Sequence, residues 1–240
     1  MTPKGIVVHS TGVNNPNLKR YVGPDDGRLG ANKNNNHWNR PGLSSCVHAF
    51  IGKDKKGAVC TYRTLPLDIC AWGVGRGSNG SYNYSPAYLQ FEILEDNLKS
   101  KSYFNKVMKE AQELCARWCT EFNIPGTKIV SHAEAHSKGY GSNHADCDHW
   151  LAKFGKDMDW FRSEVSNIIN NIIKVGDKVK IKDSATTYYD GKKFPAWVKK
   201  STLYARRKET KNGVDVWLVS TYKTLPIYTG RIKATNVYKI

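Results

Sequence analysis

Residues 89–132 read LQFEILEDNLKSKSYFNKVMKEAQELCARWCTEFNIPGTKIVSH, and the period of the apolar residues changes twice along them. In LQFEI, Leu89, Phe91 and Ile93 alternate with Gln90 and Glu92, the two-residue period of a strand with one apolar face. From 103 to 122 the spacing lengthens. Phe104, Val107, Met108, Ala111, Leu114, Cys115, Trp118, Cys119 and Phe122 recur at three and four residues, which predicts a helix ended by Pro125-Gly126. TKIVSH (127–132) returns to a strand, and that strand ends on a histidine. Strand, helix, strand in this order points to an α/β fold.

The same reading extends outward. GIVVH (5–9) is a short buried strand that also ends on a histidine. CVHAFI (46–51) and AVCTYRTL (58–65) read as strands joined by the turn KDKKG. A further helix is expected over roughly 158–173, on Phe161, Val165, Ile168, Ile169 and Ile172. Between these lie polar loops, at 12–37 and at AWGVGRGSNGSYNYS (71–85). Residues 1–173 are therefore expected to form a mixed central sheet flanked by helices.

After Lys174 the helical period disappears. VGDKVKIK, STLYARRK and VDVWLVS are short strand patterns, and Asn212-Gly213 marks a tight hairpin, so 174–240 is expected to be a small all-β barrel. Charge separates the two parts as well. The chain carries a formal +16; residues 1–173 hold 21 Lys and Arg against 16 Asp and Glu, whereas 174–240 hold 16 against 5. All seven histidines fall in the first part. Chemistry and binding of a polyanion are thus expected in different domains. No basic nucleic-acid-reading motif accompanies the charge, which argues against a nucleic-acid partner. No run is long and apolar enough to span a membrane, so stable membrane insertion is not expected. MTPKGIVVHSTG lacks the apolar stretch of an export signal, which predicts synthesis in the cytosol. Six cysteines in that compartment are expected as free thiols. The oligomeric state has no signature in the sequence.

Two strands ending in His9 and His132 offer two nitrogen ligands for a metal. A catalytic zinc takes three protein ligands and keeps one position open. The third would come from the cluster His144-Ala145-Asp146-Cys147-Asp148-His149. Glu92 points away from the apolar face of its strand and can line a cleft, where a carboxylate beside an acidified water is a natural general base. His132 and His136 are four apart, but the glutamate stands at 134 rather than 133, so the helical HExxH pattern is absent. The glycines nearby argue against a helix there.

The order of these features resembles the type-2 N-acetylmuramoyl-L-alanine amidase family, to which peptidoglycan recognition proteins and many phage endolysins also belong. The resemblance covers roughly residues 3–165 and is carried by IVVHSTG (6–12), the glycine-rich loop before LQFEI, and VSHAEAHSKGYGSNHADCDHW (130–150). It implies Zn2+ held by His9, His132 and Asp146, with Glu92 as catalytic carboxylate; His144 stands where relatives commonly carry a lysine and is expected to act in catalysis by stabilising the oxyanion. It implies cleavage of the amide between N-acetylmuramic acid and L-alanine. Two departures stand out. The Trp-His-x-Gly of many relatives is here Trp72-Gly73-Val74-Gly75, and the proline after the third ligand is Cys147, a rival thiolate ligand.

VGDKVKIKDSATTYYDGKKFPAWVKK (175–200) resembles bacterial SH3-like wall-binding domains. The expectation is therefore a 1–173 zinc amidase and a 174–240 SH3-like domain. Its partners would be peptidoglycan and anionic wall polymers, in an endolysin that reaches a Gram-positive wall once the membrane is perforated. The competing expectation is a non-catalytic peptidoglycan recognition protein.

Overall fold

Five short strands build the first sheet: β1 (Ile6–Ser10), β2 (Ala49–Lys53), β3 (Val59–Arg63), β4 (Leu89–Ile93) and β5 (Ile129–Ser131). The computed structural model describes residues 1–240, which divide into two units, Met1–Ile169 and Asn170–Ile240. In the first unit the strand order is β3-β2-β4-β1-β5. β1 runs parallel to β4 and β5, β2 runs parallel to β4, and only β3 is antiparallel to its neighbour. The sheet is mixed, as expected. Every residue of β1, β4 and β5 is buried, which suits central strands covered on both faces.

The two faces are covered differently. Ile6, Val8, Ala49, Ile51, Leu89, Phe91, Ile93 and Ile129 pack on one side against three helices: α1 (Lys101–Phe122), α3 (Asp148–Lys153) and α4 (Met158–Asn171). The expected helix at 103–122 thus starts two residues earlier. Ser100 caps it by accepting from the Tyr103 amide, and Asn123 ends it in the left-handed conformation at φ 53°. The other face carries loops. Leu18, Tyr21, Val22 and Leu29 cover the side at Phe50 of β2. Val74, Tyr82, Tyr88, Ala135 and Tyr140 cover Val7 of β1 and Val130 of β5.

One expectation fails here. Residues His132–Ser137 form a helix, α2, directly after β5. A complete capping box starts it: the Ser131 side chain accepts from the Glu134 amide, and the Glu134 carboxylate accepts from the Ser131 amide. The glycines that argued against a helix, Gly139 and Gly141, lie beyond its last turn. The strands read at 46–51 and 58–65 also shrink, to Ala49–Lys53 and Val59–Arg63. All six cysteines are free thiols.

The second unit holds β6 (Lys178–Ile181), β7 (Leu203–Lys211), β8 (Val214–Ser220), β9 (Gly230–Lys233) and β10 (Val237–Lys239), in the order β10-β6-β7-β8-β9 and antiparallel throughout. Asn212 and Gly213 both take positive φ, 50° and 74°, the signature of the primed two-residue hairpin that joins β7 to β8. Val179, Ile181, Val198, Leu203, Ala205, Trp217, Val219 and Ile232 form its core. The absence of helical period did not foretell α5 (Ala196–Lys200), a short helix that follows Pro195 and buries Val198 alone. Of the aromatic residues in this unit, Trp217 is core and Tyr188 packs against it, while Trp197 is 53% exposed.

Candidate metal centre

Parallel register aligns His9 of β1 with Glu92 of β4, and Glu92 with Phe50 of β2. All three therefore project from the loop-covered face. β5 lies on the other side of β1, and the chain leaves it at Ser131, so His132 becomes the first residue of α2. The capping box fixes that turn. Arg162 of α4 then clamps Glu134 from below, with contacts of 2.8–3.0 Å to both carboxylate oxygens, while also donating to the Ile129 carbonyl at 3.0 Å. Glu134 is thereby committed to holding the helix start that carries His132.

Three donor groups converge. His9 Nδ1 lies 3.1 Å from His132 Nδ1 and 3.2 Å from Asp146 Oδ2, and His132 Nδ1 lies 3.5 Å from Asp146 Oδ1. Both histidines are buried. Tetrahedral zinc with donors at about 2.0–2.1 Å has donor–donor edges of about 3.3–3.4 Å. The two nitrogens lie close to that edge, and Asp146, which turns Oδ2 to His9 and Oδ1 to His132, brings a carboxylate oxygen within 4.8 Å of both, so the residues fit a zinc ion. The donor set, two neutral imidazoles and one carboxylate, also suits zinc. Burial alone would raise the Asp146 pKa, but hydrogen bonds to His132 and His9 outweigh it and hold the carboxyl well below its usual range. The Ser10 amide approaches Asp146 Oδ2 at 3.4 Å and orients it further.

Cys147, the rival ligand, faces the opposite way. It is fully buried in the helical core, with Sγ 4.0 Å from Met158 Sδ. Burial pushes its thiol pKa well up, against thiolate formation. The peptide between Asp146 and Cys147 is cis.

Glu92 is 7% exposed, and its Oε2 has no hydrogen-bond partner. Desolvation first, then the nearby Asp146 and Glu95 carboxylates, push its pKa well above the ordinary value. His144 sits at the rim. Its side chain is 61% exposed, its ring stacks on His132 at 4.6 Å, and its Nδ1 is 3.7 Å from Asp146 Oδ1. The geometry thus gathers all five residues singled out from the sequence.

Glu95 is a further buried carboxylate near the site. Its Oε1 accepts from Ser10 Oγ at 2.6 Å and the Gly12 amide at 3.1 Å, and lies 3.0 Å from His149 Nε2. These contacts tie the loop after β1 to the start of α3, and they arise from a tertiary approach that leaves no local signal. His48 is structural: its Nδ1 accepts from the Gln90 amide at 2.9 Å and its Nε2 faces the Ile69 carbonyl at 3.0 Å, while burial depresses its pKa. One strand away from Glu92, a cleft of about 360 Å³ opens on the same sheet face, lined by Phe50, Tyr21, Trp38, Tyr62 and Arg63 among others.

The first unit is thus a mixed α/β sheet carrying two histidines and an aspartate whose donor atoms lie within 4.8 Å of one another, with a buried carboxylate alongside. Residues 1–148 match Amidase_2, N-acetylmuramoyl-L-alanine amidase, and the chain belongs to that family of peptidoglycan amidases. The match spans the whole candidate centre and stops short of the second unit. Among solved structures, the chain is similar to the Staphylococcus aureus hydrolase AmiA in complex with its ligand, at 20% identity over 70% of this chain and 73% of that one, with a TM-score of 0.48. It is also similar to the catalytic domain of XlyA (24% identity, 69% and 87% covered, TM-score 0.46) and to a mutant endolysin from Bacillus subtilis (26%, 69% and 86%, TM-score 0.44). No curated protein matches it.

Proposed function

We propose that this chain is a zinc-dependent N-acetylmuramoyl-L-alanine amidase of the endolysin type, with His9, His132 and Asp146 as metal ligands and Glu92 and His144 as catalytic residues. The observation that carries the reading is the convergence of His9 Nδ1, His132 Nδ1 and the Asp146 carboxylate, at separations of 3.1–3.5 Å, beside the unpartnered Oε2 of Glu92. Zinc would supply Lewis acidity there, acidifying water and polarising the lactyl carbonyl. The rest of the work belongs to the protein. Glu92, desolvated and without a hydrogen-bond donor to stabilise its charge, has raised proton affinity and takes the proton of the attacking water. It then delivers that proton to the departing alanine nitrogen. His144, at the open rim, donates to the carbonyl oxygen as negative charge builds on it. The first unit's loop-covered face, including the aromatic cleft beside Phe50, receives the glycopeptide.

The second unit is assigned to wall attachment as an SH3-like domain. Its support is the +11 charge of residues 174–240, the antiparallel sheet and the solvent-exposed Trp197, Tyr222 and Tyr228. Anionic polymers of a Gram-positive wall are the matching partner. Synthesis in the host cytoplasm, followed by release through a perforated membrane, completes the reading. The decisive test is mass spectrometry of peptidoglycan digested by the full chain. The expected products carry a free lactyl carboxylate on muramic acid and a free alanine amine. New reducing sugar ends, or amines inside the peptide, would refute the assignment. Binding of the full chain to walls should weaken as salt rises.

A further inference from the structure

We propose that Glu95 is a positioning residue for the metal centre: one buried carboxylate oxygen ties together the three chain segments that carry His9, Glu92 and Asp146. The inference rests on the metal reading above and on contacts that meet at a single atom. Glu95 Oε1 accepts from Ser10 Oγ at 2.6 Å and from the Gly12 amide at 3.1 Å, and lies 3.0 Å from His149 Nε2. Ser10 and Gly12 belong to the chain that leaves His9, and Glu95 itself lies on the chain that leaves Glu92. His149 stands in the first turn of α3, the helix that follows Asp146. Ser10 carries the junction to the ligands: its hydroxyl turns to Glu95, its amide approaches Asp146 Oδ2 at 3.4 Å, and its chain neighbour is His9.

The backbone reinforces the same junction. The Thr11 amide donates to the Ile93 carbonyl at 3.1 Å, and the Glu95 amide donates to Thr11 Oγ1 at 3.3 Å, so the pairing of β1 with β4 is carried beyond the strand ends. Gly12 then takes the left-handed conformation at φ 58°, where glycine is favoured. Glu95 is buried, at 4% exposure. Burying a carboxylate is unfavourable unless donors converge on it, and an apolar side chain would fill the space without that desolvation. An apolar side chain cannot, however, fix three segments by directed bonds at one point. With Oε1 committed to these contacts, Glu95 acts through Ser10 and α3 rather than on the substrate, and the acid–base role stays with Glu92.

The test uses the full chain as wild type, Glu95→Ala, Glu95→Gln and Ser10→Ala. Zinc affinity is measured by competition with a chromophoric chelator. Cobalt(II) is loaded in place of zinc, so that its visible absorption bands report the ligand geometry, and kcat and KM are separated on a soluble muropeptide. Glu95→Ala should shift the cobalt bands, weaken zinc binding about 10–100-fold and lower kcat by a similar factor with KM little changed. Glu95→Gln, which keeps an oxygen for the same donors, should recover most of these losses. Ser10→Ala removes one donor and should shift the cobalt bands in the same direction; it decides the matter where Glu95→Ala does not fold. Wild-type zinc affinity and cobalt bands in a folded Glu95→Ala, or in Ser10→Ala where Glu95→Ala does not fold, would overturn the proposal, as would a Glu95→Gln no better than Glu95→Ala. Hydrogen exchange at the Gly12 amide in metal-free protein should be slow in the wild type and fast in Glu95→Ala, and equal rates would also overturn it. A wild type that binds no zinc would remove the metal reading itself, whereas the exchange measurement judges the Glu95 junction with no metal added.

Discussion

Asp146 and Cys147 are adjacent, yet they project to opposite sides of the chain, and exchanging each separately makes the strongest test of the metal site. Cys147→Ser puts a hydroxyl into a fully buried apolar setting where the thiol's partner is Met158 Sδ, a weak acceptor. Burying an unpaired hydroxyl costs about 1–3 kcal/mol. For a unit of this size each kcal/mol moves the melting temperature by about 2–4 °C, so the variant should melt about 2–12 °C below wild type. Its zinc site should be intact. Zinc at 100 times its dissociation constant stabilises the folded state by about 2.7 kcal/mol, which corresponds to a rise of about 5–11 °C. That rise should appear in wild type and in Cys147→Ser, and should vanish in Asp146→Ala, because only two of the three donors remain. Differential scanning calorimetry with and without zinc, paired with metal analysis of the purified proteins, measures both quantities. A zinc-induced rise retained in Asp146→Ala and lost in Cys147→Ser would refute the assignment and make the thiolate the third ligand.

Glu92→Gln should keep zinc and wall binding while turnover falls by at least about 100-fold, the usual lower range for a lost general base; near-normal hydrolysis of purified peptidoglycan by this variant would move the base elsewhere. Glu134→Gln should behave in the opposite way. It loses the charge that Arg162 grips and weakens the capping box, so we expect about 1–3 kcal/mol of destabilisation in denaturant titration, with catalytic turnover at saturating zinc largely kept. Loss of turnover without loss of stability would instead give Glu134 a chemical role.

Much of the first unit was readable because its signals are local. LQFEI spans the strand that forms, and the stripe from Phe104 to Phe122 marks the face of α1 that is buried. His9 and Glu92 stood out because each is a polar residue within or at the end of an apolar strand pattern, and parallel register later makes them neighbours. The start of α2 is also written locally, as Ser131 and Glu134 of a capping box, and the glycines at 139 and 141 fall beyond its end rather than within it. The rest depends on long-range approach. Ser142 meets His132 because the loop around Val74 holds it there, and Glu95 meets His149 across 54 positions of chain. Neither pairing has a period, a turn residue or a cap to announce it. In the second unit, α5 is a single short turn that buries one side chain, too small to impose a helical period.

Placing β1 between β4 and β5 has a consequence for how the chain is made. The strand is complete at residue 10, while its partners end at residues 93 and 131. At about 5–20 residues per second, the ribosome takes about 4–17 s to deliver the first partner and about 6–24 s to deliver the second. During that interval the nascent chain displays Ile6, Val7 and Val8 with both edges of their backbone unpaired. Two growing copies on neighbouring ribosomes can satisfy each other's strands before either has its own. Soluble yield should therefore depend on the spacing of ribosomes along the message as well as on the stability of the finished fold, and slow initiation should favour it.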